Sequence, residues 1–126
     1  MHMPDVTVDF EAPDLAARVE QLSHEQIDQL PFGAIQLDSE GIVLFYSAAE
    51  RRLSGYPGEA VGKNFFEIAR CFGKVDLRVQ IMRAQEEGHV DLEFALAGDY
   101  DDATREVRAR VQSARQGGFW LFLQRD

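Results

Sequence analysis

The sequence predicts an α+β domain: a five-stranded antiparallel sheet with helices packed across one face and a helical cap in front of it. Three observations predict this. The apolar period is helical before Phe32 and becomes two over residues 32–46. It returns to a helical spacing between Ser47 and Glu87. It then alternates again through three segments that close the chain. At 126 residues the chain is long enough for one core and too short for two. Residues 1–31 are assigned to the cap and 32–126 to the core.

Each element has its own signal. Residues 4–13, PDVTVDFEAP, keep no period and are expected to form a loosely held arm. Pro13 and Asp14 open a helix with Leu15, Val19 and Leu22 at i, i+4 and i+7. Ser23 with Gln26 has the form of a capping box for a second short helix carrying Ile27 and Leu30, which Pro31 ends. FGAIQLD is a strand, Asp38-Ser39-Glu40-Gly41 a hairpin turn, and IVLFY the returning strand. Ser47 caps SAAERRLS, a short helix stopped by Gly55 and Pro57. FFEIARC is a further helical segment. Val75–Glu87 is the longest, with Leu77, Ile81 and Ala84 on one face and Gly88 closing it. In VDLEFAL, Val90, Leu92, Phe94 and Leu96 share a side; in EVRARVQ, Val107, Ala109 and Val111 do. A Gln116-Gly117-Gly118 turn leads into FWLFLQ.

The 22 acidic residues outnumber the 13 basic ones, for a net charge of −9. Nucleic acid and anionic membrane, both negative, are disfavoured as partners. No apolar run approaches the roughly 18 residues of a membrane span, and no signal-peptide pattern opens the chain, so a cytoplasmic protein is expected. The single cysteine, Cys71, cannot close an intrachain disulfide. With one cysteine and scattered histidines there is no zinc spacing. Phosphate loops and nucleophilic triads are also missing from the sequence.

Chemistry concentrates between Leu44 and Cys71, where a phenol (Tyr46), a carboxyl (Glu50) and the one thiol occur in segments that should fold over one another. PFGAIQLD, a turn, YSAAE, a glycine and VGKNFFEIA-x-C together resemble the photoactive yellow protein family, bacterial blue-light receptors built on a PAS fold. The resemblance is strongest over Leu30–Cys71 and covers nearly the whole chain. It implies that Cys71 carries p-coumaric (4-hydroxycinnamic) acid as a thioester. It also implies that Tyr46 and Glu50 donate to the pigment's phenolate, that Ser54 supports Tyr46, and that Ile35, Phe65, Ile68 and Ala69 line or back the pocket. By the same resemblance, light isomerises the pigment and Glu50 passes it a proton, with loosening of the cap as the output. Glu50 is then expected to be a neutral donor, because burial and a neighbouring anion both favour its protonated form.

The chain departs from the family pattern at four places. Arg70 stands where proline is usual, and the segment between Phe66 and Cys71 is one residue shorter, a turn of about 100° if that segment is helical. Tyr56 takes the place of an arginine, and Asp102 that of an apolar residue. Glu50 also has a competing role, reaching back to the Ser47 amide as the second half of a capping box. Two other functions stay open: a pigment-free PAS module for sensing or dimerisation, and a PAS pocket that binds haem or another ligand noncovalently. The expected partner is a downstream signalling protein or a fused output domain, with homodimerisation left open.

Overall fold

The computed structural model describes residues 8–54, 58–68, 77–97 and 106–125. Its helices are α1 (Leu15–Val19), α2 (His24–Asp28), α3 (Ala48–Ser54), α4 (Phe65–Ile68) and α5 (Leu77–Glu86). Its strands are β1 (Gly33–Leu37), β2 (Val43–Tyr46), β3 (Asp91–Ala97), β4 (Glu106–Ser113) and β5 (Phe119–Arg125). The strands form one sheet in the order β2-β1-β5-β4-β3, antiparallel at every junction.

Local chemistry explains where these elements start and stop. Ser23 accepts from the Gln26 amide while the Gln26 side chain accepts from the Ser23 amide, closing the predicted capping box at α2. Asp38 turns the first hairpin: one carboxylate oxygen accepts from the Glu40 and Ile42 amides, and Gly41 takes a φ of +91°. Gly118 has φ +73°, and a Cβ there would lie 2.2 Å from the Leu37 carbonyl oxygen, so the last hairpin tolerates only glycine at that position.

Strand alternation sorts the apolar side chains into two cores. Ile35, Leu37, Val107, Ala109, Val111, Phe119, Leu121 and Leu123 face α4 and α5, where they meet Phe65 and Ile81. Ala34, Trp120 and Phe122 face the other way, onto Leu15, Val19, Ile27 and Leu30 of the cap. Leu92, Phe94 and Ala84 are half-buried against the first core, on the faces expected of them. The side chains of Leu77 and Leu96, with Gly55, Pro57 and Val75, lie outside the described residues.

The front arm corrects the sequence reading. Over residues 8–13 it is docked rather than loosely held: Val8 and Phe10 are buried in the cap core. Arg110, itself buried, donates to the carbonyls of Phe10 (2.5 Å) and Ala12 (2.7 Å). Gln112 donates to the Pro13 carbonyl (2.9 Å) and accepts from the Ala16 amide (2.7 Å). Arg108 adds a pair with Glu11 and lies over the Phe10 ring at 5.3 Å. The Arg108 hydrogen bond holds the Glu11 carboxyl below its ordinary range. An irregular segment has no period to reveal this, because side chains nearly a hundred positions later hold its backbone.

Replacing Arg110 with methionine removes a charged donor and leaves carbonyls unpaired, a loss of about 2 kcal/mol. The expected outcome is a lower unfolding free energy together with new chymotryptic cleavage at Phe10, read by limited proteolysis and mass spectrometry. Unchanged cleavage at Phe10 would show that the arm does not depend on Arg110.

Candidate functional site

Of the predicted site residues that the structure describes, Ile35, Tyr46 and Phe65 belong to the core on the α4/α5 face of the sheet, and Glu50 and Ser54 are buried on α3. Ile35 of β1 pairs with Tyr46 of β2, and directly opposed residues of an antiparallel pair share a face. Ile35 is fully buried, and Tyr46 packs half-buried against the same core as Phe65. The Tyr46 hydroxyl lies 3.0 Å from the Ser54 hydroxyl at the end of α3, and either oxygen can be the donor.

Ser47 determines how α3 presents Glu50. Its buried hydroxyl accepts from the Glu50 amide (3.1 Å), the predicted N-cap, and from the Ala34 amide (3.1 Å). The Ser47 amide donates to the Ala34 carbonyl (3.0 Å), so the Glu50 carboxyl is not the second half of a capping box. That carboxyl turns inward instead, and its side chain is 2% exposed.

Inside, Glu50 meets a group that the sequence reading did not select. Arg125 donates from Nη1 to Oε1 (2.7 Å) and from Nη2 to Oε2 (2.8 Å), with its side chain 4% exposed. Two parallel N–H donors fit both oxygens of a carboxylate. The carboxyl thus accepts from a cation in the structure, where the sequence reading expects a neutral donor. An always-charged guanidinium beside a carboxyl favours its ionised form, against the effect of burial. Arg125 follows Phe119, Leu121 and Leu123 at the alternating positions of β5, and that parity is the one signal in the sequence that could have placed it on this face.

Gly33 makes room for the pair. A Cβ built there would lie 1.8 Å from Glu50 Oε1 and 2.8 Å from Glu50 Cδ, so the carboxyl rests against bare backbone. The result is a buried hydroxyl, carboxylate and guanidinium with a half-buried phenol, on the sheet face that carries Ile35 and Phe65. Guanidinium and phenol donors suit the oxygen of a hydroxylated aromatic ring, whose ionised form needs such donors once out of water. The donor set therefore fits a phenolic ligand. The Ile68 side chain, Ala69 and Cys71 lie outside the described residues, as do Tyr56, Arg70 and Asp102.

The family model for the PAS fold matches residues 21–125. The chain is 33% identical over 121 residues to the photoactive yellow protein of Rhodothalassium salexigens, covering 94% of this chain and 97% of that one. It is 32% identical, with the same coverage, to the photoactive yellow protein of Halochromatium salexigens. Among solved structures, it superposes on the photoactive yellow protein domain of the sensor histidine kinase Ppr from Rhodospirillum centenum. That match has a TM-score of 0.76 and 31% identity, and covers 86% of this chain and 98% of that domain.

Adding a methyl group at position 33 must displace the Glu50 carboxyl from the sheet. Gly33→Ala is expected to destabilise the fold by about 1–3 kcal/mol in urea denaturation, the cost of overpacking. In a Glu50→Ala background, which is itself less stable because Arg125 loses its partner, the same Gly33→Ala change should cost less than it does in the parent. Equal losses with and without Glu50 would show that the glycine serves some other contact.

Proposed function

The chain belongs to the photoactive yellow protein family and has its PAS fold, and on that premise we propose that it is a blue-light sensor domain carrying p-coumaric acid as a thioester on Cys71. The observation that carries the proposal is the convergence of the Tyr46–Ser54 hydroxyl pair and the buried Glu50 carboxyl on one sheet face, beside Ile35 and Phe65. Tyr46 and Ser54 are hydrogen-bonded, and Glu50 lies one helical turn before Ser54 on α3 and is buried like it, which supports the reading.

When bound, p-coumaric acid would supply a double bond that light can isomerise and a phenolic oxygen whose charge sets the colour. The protein's residues do the rest. Cys71 provides the acyl-accepting sulfur, nucleophilic as the thiolate. Tyr46, fixed by Ser54, and Glu50 bind the phenolic oxygen and replace the water that burial removes. Ile35, Phe65, Ile68 and Ala69 line or back the ring and keep solvent out. The protein turns nothing over, so it is a sensor and not an enzyme. Its signal would go to a separate partner or to a fused output domain, as suggested by the photoactive yellow protein domain of the sensor histidine kinase Ppr. Among the described residues no helix is long and apolar enough to cross a membrane.

One observation favours a second reading, a PAS module that works without pigment. The Arg125 guanidinium already engages both oxygens of Glu50, so the carboxyl needs no ligand to be satisfied. Reconstitution separates the two. Incubation with activated p-coumaric acid should raise the intact mass by one acyl group and produce a blue absorption band that bleaches under light. Cys71→Ala should abolish both. An unchanged mass would leave the pigment-free module as the function, and a Soret band would point to haem.

A further inference from the structure

We propose that Arg125 is the counter-ion of the ligand site, the fixed charge that lets Glu50 and a phenolic ligand share one proton between two buried oxygens. The inference rests on the light-sensing reading and deepens it.

The geometry comes first. Gly33 pairs with Leu123 at the end of the β1–β5 ladder, so Arg125 stands one pleat beyond it on the same face. Its guanidinium reaches the Glu50 carboxyl where the missing Cβ of Gly33 leaves space. The backbone pairing of Arg125 with Val107 fixes this end of β5 against β4. Around Glu50, β1 presents Gly33 and Ile35, β2 presents Tyr46, and α3 presents Ser54. On this face β4 adds Val107, Ala109 and Val111, and β5 adds Leu121 and Leu123. Among the described residues, the titratable or charged groups at this end of the face are therefore Tyr46, Glu50 and Arg125. Arg110, the other buried charge among the described residues, faces the cap.

Charge balance then follows. Glu50 and Arg125 sum to zero. A phenolic ligand adds one oxygen that can ionise and one proton. With the guanidinium present, either oxygen can hold that proton while the other stays anionic, and the charges of Glu50, Arg125 and the ligand phenol still sum to zero. Without it, the described residues offer an ionised oxygen no other cation, and burial favours the protonated form of both. A guanidinium does not give up its own proton at ordinary pH, so it stays out of the exchange and only sets the balance. Arg125 thus controls ligand colour and Glu50 protonation together.

Two measurements test this. Before reconstitution, infrared spectra at neutral pH should show no protonated-carboxyl band attributable to Glu50 in the parent protein. That band should appear in Arg125→Gln and be absent in Arg125→Lys, with Glu50→Gln as the assignment control. After loading, the pH midpoint for ionising the ligand phenol should rise by about 1–3 units in Arg125→Gln, the size of a lost neighbouring charge. Arg125→Lys should restore most of the shift. Should Arg125→Gln not fold, Glu50→Gln and Glu50→Gln/Arg125→Gln, the latter with no carboxylate left unpaired, read the same shift between them. A Glu50 acid band in the parent protein, or matching midpoints with and without the arginine, overturns the proposal. Failure of Cys71 to gain the acyl group, read by mass, would defeat the light-sensing reading and with it the ligand half of the proposal. The infrared arm would still decide whether Arg125 keeps Glu50 ionised.

Discussion

Glu50 and Arg125, two opposite charges held almost completely out of water, constrain everything around them. Such a pair is sustained only when both partners stay in place, because removing one leaves a bare buried charge at a cost of about 3–5 kcal/mol. The guanidinium comes from the end of β5, the carboxylate from α3, and the space from Gly33 of β1. Three elements must therefore keep their register for one contact. Ser47 contributes by satisfying its own backbone through Ala34, which frees the Glu50 side chain to point inward.

The same sheet carries a second polar arrangement on its opposite face. Arg110 and Gln112 of β4 grip the backbone of residues 10–16, while Trp120 and Phe122 of β5 pack under the cap helices. Strand β5 thus touches the cap with alternate side chains and ends in the arginine that holds Glu50 with the other set. A further link runs outside the sheet: the Asp28 carboxylate of α2 accepts from the Ala48 amide at the start of α3 (2.7 Å). Cap and candidate site are joined through β5 and through this contact, by short paths of packed and hydrogen-bonded groups.

Much of this was legible in the chain because it is local. The Ser23–Gln26 box, the Ser47 cap, the Asp38–Gly41 turn and the alternating strands are each set by residues a few positions apart, and each is present. The pairing of Tyr46 with Ser54 was legible through the family motif, eight residues apart. What escaped is long-range. Arg125 lies 75 residues from Glu50, and only the strand order brings them together. The same holds for Arg110 and the arm it holds, about a hundred positions away. Gly33 looked like an ordinary strand residue, because its necessity comes from a side chain on another element. The electrostatic state of Glu50 went the same way: burial was foreseeable from the motif, the cation was not.

A crystal structure of the protein after reconstitution, collected in the dark, tests the central claim most directly. The account predicts an acyl carbon bonded to Cys71 Sγ and a ring oxygen within hydrogen-bonding distance of both the Tyr46 hydroxyl and the Glu50–Arg125 pair. A ring lying elsewhere, or an acylated sulfur facing away from Tyr46 and Glu50, would contradict it.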